Sequence, residues 1–187
     1  MVNLEDIQPS VQADEGTHTA FFYGTLMVPD VFYTVCYNQS NVPPEIKALH
    51  TFTPAILPGY IRRRVRGADY PGITPDKGHK VFGMYASGLT NANMNKLDIF
   101  EGGQYVRKTV EVKLLEKVGD VKGEGNVEGE TKKAEVYVFH PDHEDELEDR
   151  EWDLEEFRRE KMQRWTRAGY VFDGCDPNDP AKVEAAV

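Results

Sequence analysis

Residues 19–36 decide the fold, and they read TAFFYGTLMVPDVFYTVC. The aromatic-rich start at 19–23 is typical of a buried strand, which ends at Gly24. Pro29 suits the first turn of a helix, where Asp30 is favoured near the positive end of the helix dipole. The apolar side chains that follow fit this helix: Val31, Phe32, Val35 and Cys36. The stretch therefore predicts a strand, a turn and a helix in that order.

The turn between this strand and this helix is a candidate anion site. Main-chain N–H groups at such a turn, with a helix N-terminus behind them, bind a carboxylate or an oxyanion. The donors would be the main-chain groups from Gly24 to Val28. The alternative is a purely structural turn, in which Gly24 supplies an unusual backbone angle.

A second segment, LDIFE at 97–101, places a carboxylate on an apolar helix face. The surrounding pattern predicts a helix that is capped at Thr90 and stops at 102–103. Glu101 then lies on the apolar face and in the last turn, where the helix dipole is negative. Both effects disfavour the ionised form, so we expect a pKa raised toward neutrality, which suits a general acid/base. Two alternatives stay open: Asp98 as the acid, and a Glu101 carboxylate that is partly exposed and solvated at the helix end.

The rest of the chain predicts more strands than helices. Strands are predicted at 19–23, 60–65, 81–86, 106–114 and 134–140, a helix at 152–167, a turn at 67–72 and irregular pieces at 40–58. Because the strands mostly look antiparallel, we predict an α+β fold built on a small, mixed, mainly antiparallel β-barrel with a few flanking helices.

These elements form one domain, which we place at 17–168. A flexible N-terminal arm at 1–16 precedes it, and a C-terminal tail at 169–187 follows it. Within the domain, residues 117–133 are rich in glycine and charge. Such a composition cannot bury a core, so we predict a mobile hairpin loop there.

Charge and composition exclude several classes of partner. The chain holds 22 basic and 32 acidic residues, and its net charge of −10 repels nucleic acid and anionic lipid. The one basic cluster, Arg62-Arg63-Arg64 with Arg66, alternates between two faces if it forms a strand. No apolar run is long enough for a membrane-spanning helix, and residues 1–20 lack the apolar block of a signal peptide. We therefore expect a cytoplasmic protein without nucleic-acid or membrane partners.

The sequence predicts no metal site and no nucleophilic side chain. His140 and His143 are spaced like metal ligands, but the sequence places no third ligand beside them. Cys36 and Cys175 are far apart and lack a nearby His or Asp, which favours a reducing compartment and argues against a nucleophilic thiol. We therefore expect no metal and no cofactor.

Six short motifs occur in one order: YGTL at 23–26, PGY at 58–60, YPGI at 70–73, VxGxY at 81–85, LDxxExxxYxR at 97–107 and EWD at 151–153. Together they resemble the γ-glutamylcyclotransferase-like family, especially its plant and fungal avirulence-induced-gene-like branch. The resemblance covers residues 20–160 and implies a small mixed β-barrel with helices around it. In that family the tyrosine–glycine loop cradles the glutamyl head group, and the glutamate that matches Glu101 is the acid/base.

The reaction that the resemblance implies uses the substrate's own nucleophile. The α-amine of a γ-glutamyl amine or peptide attacks its own γ-amide, so that a five-membered ring closes and 5-oxoproline is released with the free amine. This chemistry requires orientation and a proton shuttle, without a metal or a cofactor. The leaving group and the oligomeric state do not follow from the sequence.

The site that the resemblance implies has Glu101 as its catalytic residue. Its substrate-binding residues are Tyr23, Gly24, Thr25, Leu26, Met27, Val28 and Tyr105. Two other functions stay open. One is a cyclase or acyl-removing enzyme that uses Glu101 on a different γ-glutamyl conjugate. The other is a non-catalytic ligand-binding or interaction module, with the acidic helix at 152–167 as its contact face.

Overall fold

The computed structural model describes residues 17–120, 122–153 and 156. The strands and helices are β1 (His18–Phe22), α1 (Pro29–Tyr37), α2 (Pro44–Lys47), β2 (Thr51–Arg64), β3 (Pro71–Leu89), α3 (Asn91–Glu101), β4 (Tyr105–Lys117) and β5 (Val127–Phe139). Short 3-10 turns lie at Thr25–Met27, Gly102–Gln104 and Pro141–Glu146. The predicted α+β class is confirmed.

The five strands form one sheet in the order β1-β3-β2-β4-β5. Every pairing is antiparallel except the short parallel contact of β1 with β5 at Ala20 and Glu135. That contact joins the two ends of the strand order and closes the sheet into a small barrel. The sheet is therefore mixed and mainly antiparallel, as predicted.

Side chains of the sheet pack in two cores, one inside the barrel and one between the sheet and the helices. In β1, Phe21 packs inside the barrel with side chains from the other four strands, whereas Phe22 packs outside with residues of α1 and α3. Phe32 of α1 and Leu97 of α3 are both 0% exposed in this outer core. Burying each such side chain contributes about 1.5–3 kcal/mol. This packing fixes α3, and with it Glu101, against the barrel.

The irregular region predicted at 40–58 contains more regular structure than expected. Residues 51–58 belong to β2, which runs through Pro54 and Pro58. Only Ala55 and Ile56 of β2 pair with β4. The rest of this edge of β2 forms no hydrogen-bond ladder, so it tolerates prolines, which lack an N–H. Helix α2 also forms within the region that was predicted to be irregular.

The loop predicted at 117–133 is shorter than expected. Residues 127–133 lie in β5, so that 118–126 connects β4 and β5. The polar composition is compatible with a ladder because cross-strand ion pairs form along it, such as Lys113 Nζ to Glu128 Oε2 at 2.7 Å. The predicted arm at 1–16 and tail at 169–187 lie outside the described residues, as does nearly all of the helix predicted at 152–167.

Among the described residues, none of the helices combines the length and the apolarity that crossing a bilayer requires.

Candidate active site

The turn after β1 is shaped by close packing of its glycine. Gly24 has φ −125° and ψ −139°, which is not the left-handed conformation that glycine uniquely favours. A Cβ at this position would instead lie 2.9 Å from two ring carbons of Pro71. The backbone angle is nevertheless outside the helical and extended regions, as the structural alternative expects, and the close approach of Pro71 is a second reason for a glycine here.

The turn leaves some of its main-chain donors free. The N–H of Met27 donates to Gly24 O at 3.0 Å, and the N–H of Val28 donates to Thr25 O at 3.2 Å. Within the part of the chain that the structure describes, the N–H groups of Gly24, Thr25 and Leu26 have no hydrogen-bond partner. The donor set expected at 24–28 is therefore reduced to three amides, and the amides of Met27 and Val28 hold the turn in shape.

Helix α3 begins and ends as its sequence predicts. The Oγ1 of Thr90 accepts a hydrogen bond from Asn93 N at 3.2 Å, and Asn93 Oδ1 accepts one from Thr90 N at 2.9 Å. This reciprocal cap fixes the start of the helix. Gly102, with φ +69°, follows the last residue and ends it. Glu101 is thus held at the end of a helix whose Leu97 is fully buried.

The pKa of the Glu101 carboxyl is raised from 4.5 to about 8. Burial is the larger cause, and the charge of Asp98, one turn earlier, adds to it. The expectation of a raised pKa is confirmed, and the charge of Asp98 is a cause that the sequence analysis did not name. The residue keeps partial solvent exposure, although burial is the main cause of the raised pKa of its carboxyl.

Three tyrosine hydroxyls share the electrostatic environment of Glu101. Burial is the main cause of the raised pKa of Tyr23, Tyr105 and Tyr137, and the charge of Glu101 adds to each. Their hydroxyls donate to Tyr137 O at 2.5 Å, Pro71 O at 2.8 Å and Asp98 Oδ1 at 2.7 Å respectively. The Tyr23 oxygen also accepts a hydrogen bond from the Ile73 main chain. Because the hydroxyl protons of Tyr105 and Tyr137 are already engaged, their oxygens can offer only lone pairs to a ligand. Such oxygens suit a cation such as an ammonium group.

Pro71 connects the turn to Tyr105. Its ring packs against Gly24, and its carbonyl oxygen accepts the hydrogen bond from the Tyr105 hydroxyl. The structure therefore brings together Tyr23, the turn, Glu101 and Tyr105. The side chains of Leu26, Met27 and Val28 lie in the outer core, so any contact of theirs with a ligand would be through the main chain.

Sequence reasoning missed Tyr137, whose hydroxyl meets Asp98. Tyr137 was assigned only to a strand, between Val136 and Val138, although its side chain must leave the opposite face of β5. A polar-tipped aromatic there was the signal that it contacts a polar group outside the barrel, which is Asp98 of α3. His140 and His143 are engaged locally: His140 Nδ1 accepts from Asp142 N at 3.2 Å, and His143 Nδ1 lies 2.7 Å from Glu146 Oε1. The described residues hold no group of three or more His, Cys, Asp and Glu side chains suited to a metal.

A family model described as gamma-glutamyl cyclotransferase, AIG2-like, matches residues 20–154. The chain belongs to this family. AIG2-like protein C of Arabidopsis thaliana is 32% identical over 158 residues, which cover 84% of this chain and 79% of that protein. Protein AIG2 B of the same plant is 31% identical and covers 83% and 79%. The solution structure of an Arabidopsis thaliana protein superposes with a TM-score of 0.52 at 29% identity, covering 83% of this chain and 81% of the other. The family and the fold inferred from the six motifs are confirmed.

Proposed function

We propose that this member of the AIG2-like family is a cofactor-independent γ-glutamylcyclotransferase with Glu101 as its general acid/base. Its substrate is a small γ-glutamyl amine or peptide, which it converts to 5-oxoproline and the free amine. The observation that supports the proposal is the Glu101 carboxyl, whose pKa is raised to about 8 and whose charge acts on the hydroxyls of Tyr23, Tyr105 and Tyr137. The location of the protein is cytoplasmic, and it has neither a nucleic-acid nor a membrane partner.

The substrate's head group has a complement for each of its charges. The free amides of Gly24, Thr25 and Leu26 bind the α-carboxylate, because consecutive main-chain donors favour an anion. The α-ammonium lies among the tyrosine oxygens and next to Glu101, where acceptors are in excess. Fixing both groups folds the glutamyl chain so that its amine faces its own γ-carbonyl. Such intramolecular orientation contributes about 7–11 kcal/mol to lowering the barrier.

Glu101 carries the protons of the reaction. Its carboxylate takes a proton from the α-ammonium, and the freed amine forms a C–N bond with the γ-carbonyl carbon, whose π electrons move to oxygen. Glu101 returns the proton to the departing nitrogen as the original C–N bond breaks, and then transfers the remaining extra proton of the ring nitrogen. Two protons leave the α-nitrogen and two reach the amine, so Glu101 ends ionised, as it began. A carboxyl with a pKa near the working pH suits both directions of transfer.

The direct test is a panel of γ-glutamyl amines, γ-glutamyl amino acids and glutathione, with 5-oxoproline measured by mass spectrometry. We expect the purified protein to release 5-oxoproline from at least one of them. Binding of the panel without any release would overturn the proposal in favour of a non-catalytic binding module.

The pH dependence of turnover should report Glu101. Because the ionised form must accept the first proton, kcat/KM should rise with pH through about 8. Removing the Asp98 charge lowers the pKa of Glu101, so in Asp98→Asn this rise should move to lower pH. The amide oxygen of the variant can still accept from Tyr137. Glu135→Gln is the matched control, since Glu135 pairs with the same Arg107 as Asp98. A shift of equal size in both variants would contradict the assignment.

A further inference from the structure

Arg62, the first member of the basic cluster, points toward the turn from β2. Its side chain is only 12% exposed. Its Nη1 donates to Tyr23 O at 3.0 Å and to Phe82 O at 3.3 Å. Tyr23 O is the carbonyl directly before Gly24, so the guanidinium lies against the back of the turn that carries the free amides.

The contact with the Tyr23 carbonyl also determines the direction of the Gly24 N–H, because both groups belong to the same peptide bond. The structure has no cis peptide bond among the described residues, so the Tyr23 C=O and the Gly24 N–H point in opposite directions from one rigid plane. A guanidinium fixed on the oxygen side therefore fixes the direction of the N–H on the other side. A charged donor on the carbonyl also polarises the peptide and makes its N–H a stronger donor.

The guanidinium is itself held in place. It lies over the indole ring of Trp152, with Cζ 5.5 Å from the ring centroid, and the Nε1 of Trp152 donates to Asp69 O at 3.0 Å. Glu151 Oε1 is 3.5 Å from Arg62 Nη2 but is 73% exposed, so solvent screens this ion pair. Among the residues that the structure describes, the buried Nε of Arg62 has no hydrogen-bond partner. The charges of Glu151 and Asp153 also act on the guanidinium, but its Nη1 lies directly on the Tyr23 carbonyl, so the positive charge is close to the turn.

We infer that Arg62 is a positioning residue for the anion site: it orients the Gly24 N–H and supplies a positive potential, so that the α-carboxylate of a γ-glutamyl ligand binds at the turn. The inference rests on the proposed function for the nature of the ligand. Arg62 acts through the Tyr23–Gly24 peptide and does not touch the reacting atoms. The carboxylate keeps its charge in the ground state and in the transition state, so this interaction is uniform and belongs in KM.

The test compares Arg62→Met with Arg63→Met. Arg63 is the next residue of the same strand, carries the same charge and leaves the strand on the opposite face. A charged hydrogen bond lost at the site predicts about a tenfold to hundredfold rise in KM for Arg62→Met, with kcat within about threefold of wild type. Arg63→Met should keep the wild-type KM. Equal KM values in the two variants, or a fall in kcat at unchanged KM, would overturn the inference.

A conservative variant guards against misfolding. Arg62→Lys keeps the charge and a donor for Tyr23 O but loses the planar fork, so its KM should lie between wild type and Arg62→Met. Circular dichroism and the thermal midpoint report folding for each protein. If Arg62→Met does not fold, the comparison of Arg62→Lys with Arg63→Lys decides, and equal KM values there overturn the inference.

Binding separates this inference from the proposed function. Calorimetry with the same γ-glutamyl panel is done in the Glu101→Gln background, alone and with Arg62→Met or Arg63→Met. A wild-type protein that binds the panel without releasing 5-oxoproline refutes the cyclotransferase, while a Kd raised by Arg62→Met alone still supports the role of Arg62. A Kd that both arginine variants leave unchanged refutes the role of Arg62 alone. Absence of both turnover and binding refutes both.

Discussion

Release of 5-oxoproline should fall by at least about a hundredfold when Glu101 is replaced by Gln, in keeping with the 10²–10⁴ that general acid/base groups contribute. The amide has nearly the shape of the carboxyl but can neither accept nor return a proton. Binding of the γ-glutamyl group through the turn should persist, so kcat should carry most of the loss. Glu111→Gln, which changes an exposed glutamate on β4, is the control and should keep full turnover. Near-normal kcat in Glu101→Gln would exclude Glu101 as the proton shuttle.

The same substitution should stabilise the protein at alkaline pH. The folded state holds the pKa of Glu101 at about 8, whereas the ordinary value is 4.5. Between these values the folded state keeps a proton that the unfolded chain has lost, so Glu101 lowers the free energy of unfolding progressively as pH rises from 4.5 to 8. At 1.36 kcal/mol per pKa unit the full cost is at most about 5 kcal/mol, and solvent contact reduces it.

Thermal midpoints of wild type and Glu101→Gln at pH 5, 7 and 9 measure this cost without any substrate. The advantage of the variant should grow with pH and level off above about 8. An advantage that does not change with pH would mean that the carboxyl is solvated, as in the alternative that the sequence left open. A carboxyl group that destabilises the fold is expected where the group is needed for the reaction.

The parts of the site that were predictable are those that local chemistry determines. The cap at Thr90, the end of α3 at Gly102 and the apolar face next to Glu101 all depend on residues within a few positions of one another, so periodicity and capping rules found them. The raised pKa of Glu101 followed from the same face. The strand, turn and helix at 19–36 were predictable for the same reason.

The parts that were missed depend on pairings between distant segments. Residues 127–133 were assigned to a loop from composition, because nothing local shows that β4 would provide a ladder for them. The guanidinium of Arg62 meets Tyr23 O across 39 positions of sequence, and this contact exists only because the sheet closes. The sequence also did not show that the N–H groups of Met27 and Val28 are hydrogen-bonded within the turn. A 3-10 turn between a strand and a helix has no clear sequence signature.

Replacing Gly24 by Ala should affect both stability and turnover. The new methyl group would lie 2.9 Å from Cγ and Cδ of Pro71, so either the turn or the proline must move. Overpacking of this kind costs about 1–3 kcal/mol, which lowers the thermal midpoint of a chain of this size by several degrees. The displacement also reaches Tyr105, whose hydroxyl is bonded to Pro71 O. Because about 1 Å of misplacement costs about a hundredfold in rate, kcat/KM should fall by at least that factor.

The control for this change is Gly103→Ala, where a Cβ would meet no atom within 4 Å and φ is not in the left-handed region. It adds the same methyl group close to Glu101 in sequence and should keep both the midpoint and the activity. Assays at a temperature where both variants are folded separate lost geometry from lost protein. Full activity in folded Gly24→Ala would show that the turn need not hold its position against Pro71. The free amides would then have no part in binding the substrate, because a donor that can shift without consequence orients nothing.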